Sequence, residues 1–341
     1  MIPQTTPAVN LAKTLFLRME SYVYSLFVVP LVALLPAQFA YGVAILRSDM
    51  RYKLASNLSR RVENRIELLF GNQFTAEERR SLARDYFRNQ SCEAIDAMRL
   101  LGRGEELLQL VEVRGKKNLD DALAKGKGVI LCSVHLGSPR CCFSVLGALG
   151  FPMTLLANWS FTRDQGGFPL RWMIDQLGWS KPLTSHMRGP NIRADRFGVA
   201  MQVVKLLQKN EIVGIMLDGL IGPKDSAKRV QVDFLDGRAS LPPGAITIAQ
   251  ITGAPVLTMV MHRSTDWRHQ VLEIWPPAHI DSDAQISFRR CLSILETMIR
   301  RYPAQWHMWR SSNSIERIFV PSGIMQPMRE PELPQSQISN D

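Results

Sequence analysis

GVILCSVHLGSP, residues 128–139, is the stretch on which the reading of this chain turns. Residues 128–134 are a short apolar run, which predicts a strand covered on both faces. His135 follows directly, so its imidazole is expected at the carboxyl edge of a sheet, where ligands of open α/β sheets bind. Leu136 and Gly137 make the turn, with Ser138 as N-cap and Pro139 as first residue of a helix over about 139–149. His135 then faces a helix N-terminus, a setting that suits an anion or a developing oxyanion. A lone histidine is more often a core residue. Its place at a strand end is what makes His135, with Gly137 and Ser138, a candidate site.

The same alternation extends in both directions. VEVRG at 111–115 begins it, and NLDDALAKG at 118–126 reads as a helix with Asn118 as cap and Gly126 as stop. After the His135 turn come strand MTLLA (153–157), a helix over about 197–209 and strand IVGIML (212–217). VQVDFL (230–235) is a further strand candidate. Helix GAITIAQITG (244–253), strand PVLTMVM (255–261), strand VLEIW (271–275) and a helix over about 284–301 complete it. Strands separated by helices predict an α/β fold with a largely parallel central sheet flanked by helices. Upstream, Thr75 before AEE starts a helix over 75–101.

The chain has 341 residues, a net charge of +10 and 46% apolar content, which excludes a disordered chain, a fibre or a coiled-coil rod. The charge surplus suits an anionic partner. No aromatic-basic interleaving and no zinc spacing supports nucleic acid. Five cysteines without framework spacing argue against a disulfide scaffold or zinc module and for a reducing compartment.

Ser21–Leu46 carries no charge over 26 residues. It is long enough to span a bilayer, but Pro30, Pro36 and Gln38 divide it into two apolar segments, which favours attachment in the plane of the membrane. Arg47, Arg51, Lys53, Arg60, Arg61 and Arg65 follow and would hold it on an anionic, cytoplasmic leaflet. A hairpin buried on the following domain is the alternative. The expected organisation is an N-terminal helical hydrophobic segment with its basic flank over 1–66, the α/β domain over 67–320 and a disordered tail over 321–341.

KGKGVILCSVHLGSPR resembles the central block of the lipid A late acyltransferases, lauroyl and myristoyl enzymes similar to the lysophospholipid and glycerolipid acyltransferases. That block is a glycine-led strand, His, four residues, then Asp or Glu. VEVRGKKNLDDALAKGKG resembles the segment leading into it. MLDGLIGPKDSAKRVQVDFLDGRASLPPGAITIAQITGAPVLTMV resembles the second half, and YPAQWHMWR the closing block. NLSRRVENRIELLFGNQFTAEERRSLARDYFRN, behind the hydrophobic segment, is also similar. The likeness covers about residues 22–312. It implies a glycerolipid-acyltransferase-like fold and transfer of an acyl chain from a carrier-protein or coenzyme A thioester to a hydroxyl or amine. In such an enzyme His135 is the general base, and no cofactor is needed. The cytoplasmic face of the bacterial inner membrane is the implied location.

The chain departs from the family pattern in three places. Arg140 stands at the acid position, Leu220 replaces the second acid of the strand end that keeps Asp218, and Trp309, Arg310, Ser311 replace a closing His-Arg pair. An arginine cannot balance an imidazolium, and a cation is disfavoured in a first helical turn. Arg140 therefore reads either as a residue that binds an anionic group of a substrate or as drift after the acid lost its role. Asp218 is the first candidate to replace the acid, since it ends IVGIML at the same sheet edge, and Asp225 and Glu93 are others. Arg163 resembles an arginine of the family's second block, suited to a thioester oxyanion or a phosphate, or it is simply solvated. Lys224, Lys228 and Arg229 could meet phosphopantetheine or an acidic carrier protein, or form a solvated run. A serine elbow is absent, and a thiolate at Cys132 or Cys141 competes with plain packing. The alternative function is a non-catalytic acyl- or lipid-binding relative that has lost its acid.

Overall fold

The computed structural model describes residues 19–20, 23–102, 104–151, 153–157, 192–193, 198–219, 229–309, 315 and 318–319. Arg163, Leu220, Lys224, Asp225, Lys228 and the 321–341 tail lie outside these residues, as does the side chain of Arg140.

The strands are β1 (Val111–Arg114), β2 (Val129–Ser133), β3 (Met153–Ala157), β4 (Ile192–Arg193), β5 (Ile212–Met216), β6 (Val230–Phe234), β7 (Gly237–Leu241), β8 (Val256–Arg263) and β9 (Gln270–Ile274). Seven form one sheet in the order β1-β9-β8-β2-β5-β3-β4. Every neighbouring pair is parallel except β8 with β9. The mixed α/β architecture with a mostly parallel sheet is thus the expected one. β6 and β7 form a separate antiparallel ribbon.

β2 lies between β5 and β8 and is buried along its whole length. Its side chains alternate between two apolar layers, as the period of two in a strand requires. Ile130 and Cys132 join a core with Val213, Val256, Ile246 and Leu295. Val129 and Leu131 join the other face with Leu119, Phe143 and Met259. Helices named by these residues cover the two faces: α9 (Gly244–Thr252) and α10 (Ala284–Arg301) on one, α6 (Lys116–Leu123) and α7 (Pro139–Ala148) on the other. All five cysteines are buried, and none is joined in a disulfide.

Asn118 is not a cap. Helix α6 starts two residues earlier, behind Gly115 at φ +73°, and the Asn118 amide instead donates to the Ile274 carbonyl at 2.8 Å. Thr75 does start its helix, α4 (Ala76–Gly102), and Glu78 reaches back to the Thr75 backbone N–H at 2.7 Å as a capping box.

The N-terminal segment breaks at Leu34–Pro36, between α1 (Val29–Ala33) and α2 (Ala37–Leu54), and α3 (Ser56–Phe70) follows. Among the described residues no helix is long and apolar enough to cross a membrane. One face of the segment packs on α4, through Val32, Ala40, Tyr41 and Ala44 against Cys92 and Ile95. On α2 the opposite face exposes Phe39, Val43, Leu46, Met50 and Leu54, which recur at helical spacing as one apolar stripe. The basic flank is less available than its sequence suggests. Arg47 and Arg51 pair with Glu20, and buried Arg65 donates to the Trp309 carbonyl at 2.8 Å. Lys53, Arg60 and Arg61 remain exposed.

Candidate active site

Strands β2 and β5 are parallel neighbours with Ser133 opposite Met216. Two residues further along each strand, the same register sets His135 opposite Asp218, and no strand intervenes. The Asp218 carboxylate is fully buried, and its Oδ1 lies 2.8 Å from His135 Nδ1. Its other oxygen accepts from the His135 backbone N–H at 2.9 Å and from the Trp306 indole N–H at 2.8 Å. These bonds fix the tautomer, because the carboxylate can only accept and Nδ1 must donate. Nε2 has no hydrogen-bond partner among the described residues, and the imidazole is 23% exposed.

Burial by itself would push the His135 pKa down, but the charge and hydrogen bond of Asp218, with a further contribution from Glu93, outweigh it and raise the pKa above the ordinary 6.5. Burial would likewise push Asp218 up, but His135, Trp306 and the backbone N–H hold it below the usual carboxylate value. The arrangement is a histidine held by a dry, fully bonded carboxylate, with its other nitrogen free to exchange a proton.

The closing stretch from Pro303 to Trp309 clamps this turn. Gly137 N–H donates to the Gln305 carbonyl at 2.9 Å, and His307 N–H donates to the His135 carbonyl at 2.8 Å. The His307 ring bonds the Gly137 carbonyl through Nε2 at 2.9 Å. Gln305 also holds β8, accepting from the Arg263 N–H at 2.7 Å and donating to its carbonyl at 2.8 Å. Gly137 has φ +65°, and a Cβ there would stand 1.9 Å from the Met261 carbonyl oxygen. Only glycine fits so close an approach in the left-handed region.

Ser138 occupies the N-cap position of α7 without capping it. Its hydroxyl donates instead to Asp96 at 2.9 Å. Asp96 also binds the Arg263 guanidinium and accepts from the Tyr41 hydroxyl at 2.6 Å. Arg263 and Asp96 are completely buried, a costly placement offset by their mutual contact and by further bonds, with the Arg263 guanidinium also donating to the Trp267 carbonyl at 2.9 Å and only its Nε left without a hydrogen-bond partner. One network thus joins α2, α4, β8 and the start of α7. Ser138 is a structural anchor here rather than a residue offered to substrate.

Of the other candidates, Arg229 directly precedes β6 of the separate ribbon, and no hydrogen bond or ion pair among the described residues joins it to His135 or Asp218. Arg163, Lys224 and Lys228 fall outside the described residues. Burial pushes the Cys132 thiol well up and the Cys142 thiol up too, so a thiolate nucleophile at Cys132 does not fit. Among the described residues no group of three or more His, Cys, Asp and Glu side chains could hold a metal ion. Sequence reasoning missed the role of Trp306, His307, Asp96 and Arg263. Trp306 and His307 stood in the closing block, where a tryptophan beside a histidine was the available signal.

Residues 12–311 match the model of a family described as bacterial lipid A biosynthesis acyltransferase. A protein of Haemophilus influenzae named lipid A biosynthesis acyltransferase is 24% identical over 230 residues, which cover 62% of this chain and 64% of that relative. The match therefore spans less than two thirds of the relative's length. The family match, in contrast, takes in the His135 turn, Asp218 and the closing stretch together. The chain belongs to the bacterial lipid A biosynthesis acyltransferase family.

Proposed function

We propose that the protein is an acyltransferase of lipid A biosynthesis type. It moves an acyl chain from a carrier-protein or coenzyme A thioester to a hydroxyl or amine of a lipid acceptor. The observation that carries this reading is the His135–Asp218 contact, with Nδ1 bonded at 2.8 Å and Nε2 unengaged among the described residues. His135 Nε2 takes the proton of the acceptor O–H or N–H as that atom attacks the thioester carbonyl carbon. Asp218 holds the imidazolium that results, in the manner of a triad acid. The tetrahedral intermediate collapses, the carbon–sulfur bond breaks, and the imidazolium returns the proton to the departing thiolate. Arg163 is assigned to the oxyanion. Arg140, Lys224, Lys228 and Arg229 are assigned to anionic groups of donor or acceptor.

The protein acts on a membrane surface, on the cytoplasmic face of the inner membrane. The exposed stripe of Phe39, Val43, Leu46, Met50 and Leu54, with Phe27 and Leu31 before it, supports attachment in the plane of the bilayer. A contiguous apolar face of this kind marks an interaction surface.

A second reading, a lipid-binding relative without activity, is favoured by Arg140 at the acid position. The bonded Asp218 weighs against it, since a counter-charge for His135 is present. Intact-mass analysis of donor and acceptor tests the choice. Acyl carrier thioesters are incubated with the protein and candidate glycolipid or amine acceptors, and transfer adds one acyl mass to the acceptor. A panel that gains none, while the thioester remains intact and bound, supports the binding protein.

A further inference from the structure

The site contains a second histidine–carboxylate pair. Glu93, on α4, is 5% exposed. Its Oε2 lies 3.5 Å from His307 Nε2, while its Oε1 has no hydrogen-bond partner. Asp218 is bonded through both oxygens, whereas Glu93 has the longer His307 contact and one unbonded oxygen in a dry setting, where charges act at longer range than in water. One turn earlier on the same helix, the Asn89 amide donates to the Gly137 carbonyl at 3.1 Å, the oxygen that also receives His307 Nε2. Asn89, Glu93 and His307 therefore meet on one side of the His135 turn, and Asp218 holds the other.

We propose that Glu93 is a positioning residue of this site, a second counter-charge that favours protonated His135 and steadies the His307 clamp on its turn. The proposal rests on His135 serving as general base. Among the described residues, the charged and titratable groups around His135 are Asp218 at the end of β5, Glu93 on α4 and His307 in the closing stretch. The ion-paired Arg263 and Asp96 bond to Ser138, the residue after Gly137. Of these, Glu93 is the second carboxylate, and its one close contact is His307 at 3.5 Å. Its effect on His135 has the same sign as that of Asp218. Position 140 carries an arginine where the resemblance leads one to expect an acid, and Glu93 supplies a carboxylate from a different element.

The test is a pH titration of the full-length protein with ¹³C-labelled histidine. The chain has six histidines, and H135A assigns the signal. E93Q removes the charge and keeps the shape, whereas E93D keeps the charge. E93Q should lower the His135 midpoint by about one unit, the lower end of what a nearby opposite charge contributes. E93D should leave it near the wild-type value. Equal midpoints in E93Q and wild type, or equal shifts in E93Q and E93D, would overturn the proposal. Wild-type protein labelled with ¹³C at its glutamate carboxyls carries the same test should E93Q fail to fold. The Glu93 carboxyl carbon must then show an inflection at the His135 midpoint that H135A abolishes, and a flat trace there is equally fatal. Because neither readout uses acyl transfer, they separate from the general-base reading, which fails if H135A transfers normally.

Discussion

Asp218 faces His135 because β2 and β5 are adjacent, parallel and in register, with Leu217 N–H bonded to the Ser133 carbonyl at 2.8 Å one step before the pair. The two side chains are 83 residues apart in sequence and 2.8 Å apart in space. A single strand pairing therefore gives His135 a carboxylate partner that does not come from the helix after it. Arg140 need not mean a lost counter-charge.

D218N should reduce kcat by about 10⁴-fold, the cost of removing a triad acid, with a much smaller effect on donor binding. Single-turnover transfer and donor affinity, measured together, check this. A parallel loss of both would assign Asp218 to binding instead.

The rate should depend on pH with a definite sign. A general base must be neutral, and His135 is raised above 6.5, so kcat/KM should climb through an apparent pKa above 6.5. D218N should move that limb to lower pH, because burial then acts without its main opposing charge. Stability follows the same pair. The raised His135 contributes fully below its unfolded pKa, and that contribution is lost as pH rises through the folded value. The lowered Asp218 contributes above its unfolded pKa and is lost as pH falls through the folded value. The melting difference between wild type and D218N should thus be largest between the two folded values and shrink on the alkaline side.

W306F removes one hydrogen bond to a buried carboxylate and should cost about 1.5–3 kcal/mol of stability. The freed Asp218 oxygen should also lower the rate, since the carboxylate is no longer fixed toward His135. Denaturant unfolding and initial rates of the same variant read both effects.

G137A should be worse for folding than for chemistry. The left-handed backbone and the contact with the Met261 carbonyl together predict about 2–5 kcal/mol of destabilisation. A variant with unchanged melting would show that the turn relaxes more readily than its packing implies.

F39E with L46E should release the protein from vesicles, since both side chains lie on the exposed stripe of α2. Added salt should weaken wild-type binding only modestly, because Arg47 and Arg51 already pair with Glu20. Co-sedimentation at two ionic strengths separates the apolar from the ionic part.

The sheet was legible because β2, β5 and β8 are continuous apolar runs, and buried parallel strands leave that pattern. His135 and Asp218 were legible as strand ends. Their contact followed once both strands were placed at one edge. The Asp96–Arg263–Ser138–Tyr41 network was not legible, since it joins four elements far apart in sequence and each residue alone looks like an ordinary polar position. Ser138 holds the N-cap position that its place before Pro139 predicts, but a buried carboxylate across the fold takes the hydroxyl that would otherwise cap the helix. Asn118 lost its cap role because Gly115 could turn the chain earlier.

His135→Ala addresses the central claim most directly. Wild-type and H135A protein are incubated with an acyl carrier thioester and an accepting lipid, and the acylated product is counted by intact mass over time. The account predicts that H135A forms product at least about 10³-fold more slowly while still binding the thioester. Transfer by H135A at the wild-type rate would contradict it.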